Sequence, residues 1–190
     1  MQQPIRKLTL ANIDAITMDF HRELAVIGQS IRGKTGLPLM LSMKRDRLGH
    51  GPYPGVSLFE AANRIMSDLV ILHGVAALLK DKHFPFDEYT VEFGNENHND
   101  FDIYASSAGA SLAGEAFNVA PSFFQGKKST ALKKLRAKAT EATYRVILFN
   151  AEAARKGYIG RGKDDIYYVV VDISSRTVAV SPKPTWNVSV

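Results

Sequence analysis

The sequence predicts a mixed α/β protein, because stretches with apolar residues at helical spacing interleave along the chain with stretches that alternate or run apolar in the manner of strands. Its 190 residues suit one domain with a real core, and 45% hydrophobic with 23% charged residues is the composition of a globular chain. Cysteine is absent, which excludes disulfide frameworks, thiolate zinc sites, iron–sulfur clusters and cysteine nucleophiles. Any metal must therefore sit on oxygen or imidazole.

The first helix is expected over Asn12 to Ile31, where Ile13, Ile16, Phe20, Leu24, Ile27 and Ile31 form a stripe that ends at Gly33 and the Lys34 to Pro38 turn. Met43 to Val56 reads as a mobile loop, since glycine and proline crowd Gly49 to Gly55. Ser57, three residues before Glu60, has capping-box spacing and opens the main core helix through Phe59, Ala62, Ile65, Leu69, Leu72 and Leu79. The period then changes to that of a strand at Tyr89, Val91 and Phe93. Phe101 to Gly109 and Leu112 to Val119 complete an expected antiparallel meander, stopped by Pro121. A helix is expected over Ser129 to Thr143, a buried strand over Tyr144 to Phe149, and a terminal strand pair over Tyr167 to Ile173 and Thr177 to Val180. Residues 1–56 thus form an N-terminal helix and loop extension, 57–150 the core, and 151–190 a C-terminal strand extension, all in one domain.

The longest apolar stretch, Leu69 to Leu79, is broken by His73 and Gly74 and falls short of the roughly 20 residues that cross a bilayer, so no membrane contact is expected. Met1 to Pro4 lacks the pattern of a secretion signal, and a cytoplasmic location is expected. The net charge of +5 is concentrated in one place. Lys127, Lys128, Lys133, Lys134, Arg136 and Lys138 fall between Pro121 and Thr140, a stretch without a single acidic residue. A solvated helix normally mixes signs at i,i+4 spacing, so contact with phosphates, and hence a nucleic-acid partner, is the favoured reading.

Two carboxylates fall in the expected meander, Asp102 and Glu115, where acidic residues are otherwise depleted. Pairing about a turn near Gly109 sets them opposite one another. Two such groups on one face repel unless a cation lies between them, and hard ions such as Mg²⁺ take carboxylate, carbonyl and water ligands. The plainer alternatives are that Asp102 only follows an Asx turn, that Glu115 lies on the solvent face, and that Glu60 only caps its helix.

The order helix, strand, strand with Asp102, strand with Glu115, helix, strand resembles the core of the PD-(D/E)XK nucleases, the restriction-endonuclease-like superfamily. Asp102-Ile103-Tyr104, Gly114-Glu115-Ala116-Phe117 and Glu60 carry the resemblance, over roughly residues 57 to 150. It implies an αβββαβ core and a Mg²⁺- or Mn²⁺-dependent DNA endonuclease, in which Asp102, Glu115, the Ala116 carbonyl and, in some members, the Glu60 position hold metal. The family's lysine, two residues after the glutamate, is Phe117 here. Some members have moved it to the following helix, which makes Lys127 and Lys128 candidates for the catalytic cation and the six basic residues candidates for DNA contact. The alternative is a catalytically degenerate module on the same fold that binds nucleic acid or a protein. Restriction-like enzymes are commonly dimers, so a homodimer is a further expectation. His98 and His50 read as turn and loop residues, and His73 as a core histidine. Gly157 to Gly162 lacks a preceding strand and reads as a basic, flexible surface loop rather than a nucleotide-binding turn.

Overall fold

The computed structural model describes residues 5–94, 98–154, 158 and 165–185. The architecture is mixed α/β: a seven-stranded sheet with helices on both faces. The strands are β1 (Ile5–Thr9), β2 (Glu88–Glu92), β3 (Ile103–Ser107), β4 (Ala110–Phe117), β5 (Tyr144–Asn150), β6 (Ile166–Asp172) and β7 (Thr177–Ser181). They lie side by side in chain order. Pairing is antiparallel from β1 to β4, parallel from β4 through β6, and antiparallel again for β7. Among the described residues the α-helices are α1 (Ile13–Ala25), α2 (Gly36–Arg45), α3 (Leu58–Lys80) and α4 (Phe124–Lys138).

α3 lies across one face of the sheet, and α1 and α2 pack against it. The Ser57 hydroxyl accepts the Glu60 N–H at 3.2 Å, so the cap read from the sequence starts this helix where expected. By length and composition α3 could cross a membrane, yet most of it is packed inside the protein. Its apolar residues, Ile65, Leu69, Leu72, Val75 and Leu79 among them, join Leu112, Val146, Leu148 and Val169 in the larger core. α4 is the crossover between the parallel strands β4 and β5 and seals the opposite face with Ala131 and Leu135 against Ala113, Phe117, Ile147 and Phe149.

The N-terminal segment contains more than the expected helix and loop. β1 adds an edge strand to β2, from Ile5 opposite Glu92 to Thr9 opposite Glu88. Met43 to Arg45, read as loop, close α2 instead, and Pro38 sits in the first turn of that helix, where a missing N–H disturbs no hydrogen bond. The Gly/Pro segment that follows is pinned rather than open. The Leu48 N–H donates to Val56 O at 2.8 Å, Arg47 donates to Gly55 O at 2.6 Å, and the Tyr53 hydroxyl donates to Asp68 on α3. α4 starts at Phe124, earlier than expected, after a 3-10 turn at Pro121–Phe123. The expected surface loop at Gly157 to Gly162 lies outside the described residues except for Tyr158, whose ring packs on Phe124, Phe149 and Tyr168.

His73 is a core residue, as expected, and stacks on His21 of α1 at 6.0 Å. Burial, with His21 and Arg176 adding to it, holds its imidazole neutral down to about pH 4, against an ordinary value of 6.5. The unfolded chain binds a proton there first, so this residue's contribution is complete above pH 6.5 and fades as the pH falls towards 4. His73→Leu is expected to flatten the acid limb of the stability curve across that window by about 2–3 kcal/mol. Urea unfolding at pH 7 and at pH 4.5 measures it; equal acid sensitivity in both proteins would overturn it.

Candidate active site

The hairpin between β3 and β4 turns at Ala108-Gly109, with Gly109 at φ +92°. Its register pairs Ile103 with Gly114, which places Asp102, one residue before β3, across from Glu115. Alternation along β4 then sorts the faces. Leu112 and Ala116 point to α3, while Ala113, Glu115 and Phe117 point to α4. Gly114 is required between them, because a Cβ there would lie 2.4 Å from Val146 Cγ2 on β5.

Asp102 accepts the Ala116 N–H at 2.8 Å, which ties its carboxylate to the strand that carries Glu115. Glu115 is 9% exposed, and Lys134 Nζ of α4 lies 2.7 Å from its Oε1. That contact is an ion pair without hydrogen-bond alignment, so Oε1 is left with no aligned donor. Burial, joined by the Asp102 charge, pushes Glu115 up to about 7 despite Lys134. Asp102 is raised as well, by burial and then by Glu92, while the Ala116 N–H, Lys134 and Lys127 oppose the shift. Two desolvated, mutually repelling carboxylates under one ammonium have the electrostatics of a cation site.

Both groups line a cleft of about 410 Å³, together with Asn63 and Ser67 of α3, Asn118 and Val119 beyond β4, and Lys127, Thr130 and Lys134 of α4. Of the positions drawn from the sequence, the structure gathers Asp102, Glu115, Ala116, Lys127 and Lys134. It does not bring in Lys128, whose ammonium turns away to the Tyr158 hydroxyl at 3.1 Å. Nor does it bring in Glu60, which pairs with Arg64 at 2.8 Å on the first turn of α3, outside the cleft lining. Lys138 pairs with Asp100 at 2.6 Å, so Lys134 and Lys138 are each met by a carboxylate from outside their own helix. Lys133 and Arg136 are exposed on α4. Phe117, in the family's lysine position, is 7% exposed and stacks on Phe149.

Three side chains behind the cleft were not singled out from the sequence. Asp68 of α3 is buried, takes the Gly94 N–H at 3.1 Å and the Tyr53 hydroxyl, and is pushed up to about 7, chiefly by burial. Glu92, at the end of β2, accepts the His98 and Asn99 N–H groups at 2.6 Å each, and its own N–H donates to Asp102 O at 2.9 Å. Asn150 at the end of β5 clamps Val119, accepting its N–H at 2.9 Å and donating to its carbonyl at 3.2 Å. These groups hold the two chain segments that leave β2 and β4, and so hold Asp102 and the approach to α4. The sequence signal was an acid inside an apolar helical run for Asp68; Glu92 and Asn150 had none. No family model matches the chain, and no curated protein is similar enough to count as its relative.

Proposed function

We propose that the protein is a metal-dependent DNA endonuclease of the restriction-endonuclease-like class, with Asp102 and Glu115 at its centre. The observation that carries this reading is the β3–β4 register, which sets the two carboxylates side by side beneath Lys134 of the crossover helix. The strand and helix order from α3 to β5 is compatible with the αβββαβ core of that class.

The donor set fits a hard divalent ion. Among the described residues no group of three or more His, Cys, Asp and Glu gathers, but Mg²⁺ needs only one or two carboxylates, completing its shell with waters and substrate phosphate. The buried Glu115 Oε1 without an aligned donor is the atom such an ion would satisfy, with Asp102 and Ala116, whose carbonyl the resemblance assigns to metal, lining the same cleft. Bound there, Mg²⁺ or Mn²⁺ would supply an acidified water and neutralise charge on the scissile phosphate. The chain's own residues do the rest. Lys134 holds positive charge at the carboxylate pair, and Lys127, exposed at the cleft, reaches a phosphate entering it. Asn63 and Asn118 offer amides along the walls for orienting the substrate. A cytoplasmic location is part of this proposal.

Phe117 favours a second reading, a catalytically degenerate module that binds nucleic acid, because the usual lysine position has become part of the core under α4. Supercoiled plasmid incubated with the protein in Mg²⁺ or Mn²⁺, with and without chelator, separates the two. Nicking that the chelator abolishes supports the nuclease, and retardation of DNA without nicking in either metal supports the binder. Lys134→Ala is expected to lower the cleavage rate by roughly 10²- to 10³-fold, as loss of a charge-stabilising donor does elsewhere. Lys128→Ala, on the far side of α4, is expected to cleave near the wild-type rate. The reverse order of effects would reassign the migrated lysine.

A further inference from the structure

The α4-side face of the sheet is covered unevenly. α4 packs on β4 and β5, and among the described residues no helix makes more than marginal contact with β1, β2 or β3 on that side. The face they present is set by the ladder Lys7–Thr90–Tyr104–Ala113, whose last member belongs to the core beneath α4. Tyr104 therefore stands on the same face as Asp102 and Glu115. It is 44% exposed, an unusual degree for a large ring on a sheet, and among the described residues its ring meets no other ring and no cation. Lys7 lies two strands away across the floor, paired with Glu88 at 2.7 Å. Along one side of this floor runs α4, with Lys127, Lys134 and Lys138 spaced seven and four residues apart, hence on one stripe. Lys134 reaches Glu115 and Lys138 reaches Asp100, so the stripe faces the floor rather than open solvent.

We propose that this trough binds a single strand of nucleic acid, with an unpaired base stacked on Tyr104 and the backbone following the α4 stripe to Asp102 and Glu115. The proposal rests on the nuclease reading for its direction and adds the substrate class. Tyr104 and Asp102 are two residues apart on one strand, about 7 Å, close to the repeat of one nucleotide in an extended strand. A base stacked on the ring therefore sets a neighbouring phosphate at the carboxylate pair. A duplex keeps its base faces covered by one another and offers this ring nothing to stack on, whereas a lone ring beside a cationic rail is how sheets hold unpaired strands. Lys127, exposed at the head of the stripe, supplies sequence-independent, salt-sensitive attraction, Lys134 and Lys138 offset the carboxylates they meet, and the ring supplies the preference for unpaired bases.

The test is fluorescence anisotropy in EDTA, so that binding is read without cleavage, using a fluorescein-labelled mixed-sequence oligonucleotide alone and annealed to its complement. The wild-type protein is expected to bind the single strand more tightly than the duplex. Tyr104→Ala is expected to weaken single-strand binding by roughly 5- to 150-fold, the loss of one stacked base, with the melting temperature unchanged because the side chain is exposed. Tyr104→Phe is expected to retain the affinity. Tighter binding of the duplex, or single-strand affinity in Tyr104→Ala within twofold of wild type, overturns the proposal. Cleavage in Mg²⁺ or Mn²⁺ is scored separately. Cleavage without a Tyr104 effect removes this inference and leaves the nuclease standing; Tyr104-dependent binding without cleavage removes the nuclease and leaves the single-strand site.

Discussion

If the protein is the proposed nuclease, Asp102→Asn and Glu115→Gln are each expected to leave it folded and to lower metal-dependent cleavage by roughly three orders of magnitude or more. Each exchange keeps the shape and removes the charge. Asparagine at 102 can still accept the Ala116 N–H, the contact that joins the two strands at this point. Neither amide offers a divalent ion the anionic oxygen that holds it beside phosphate, and about 4 kcal/mol of lost transition-state stabilisation corresponds to that factor in rate. Stability should move the other way. Two buried carboxylates that repel one another destabilise the fold, so neutralising one is expected to leave the melting temperature at pH 8 equal to or above that of the wild type. Plasmid nicking rates and thermal melts on the same preparations check both halves. Cleavage within tenfold of wild type in both variants, in Mg²⁺ and in Mn²⁺, would remove the site from consideration.

Phe149→Ala is expected to cost about 3–5 kcal/mol, a large share of a typical domain's stability. Phe149 is fully buried on β5 and is the hub of the smaller core. Its ring stacks on Phe117 at 6.0 Å and meets Phe124 of α4 at 4.9 Å, with Tyr158 at 5.8 Å and Tyr168 at 6.4 Å. Removing it opens a cavity directly under α4, and the four remaining rings, locked by their neighbours, cannot close over it without leaving their rotamers. Because α4 carries Lys127 and Lys134, cleavage should fall together with stability. A loss below about 1 kcal/mol in urea unfolding would show that this cluster does not anchor the helix.

The site was legible in the sequence because it depends on local arithmetic. A tight turn at Ala108-Gly109 and strict alternation are enough to place Asp102 against Glu115, and the meander, the core helix with its Ser57 cap and the buried β5 followed from period alone. What was hidden depends on distant partners. β1 is a short segment with mixed polarity, Arg6-Lys7-Leu8-Thr9, that becomes a strand only because β2, some eighty residues on, offers it an edge. α2 was masked by Gly36 and Pro38, residues that punctuate chains in general but are harmless in a first helical turn. The start of α4 was obscured by Gly126. The basic count on α4 overstated its free charge, since the carboxylates that meet Lys134 and Lys138 come from β4 and from the segment before β3.

The strands lie in space in the order in which the chain makes them. Each strand therefore pairs with the strand made just before it, although β1 waits some eighty residues for β2, and nothing has to be threaded between two that are already in place. The carboxylate pair and the basic stripe fall in one unbroken stretch from Asp102 to Lys138. The polypeptide has thus supplied every residue of the candidate site before it makes β5 and β6, whose part is to seat α4 from below.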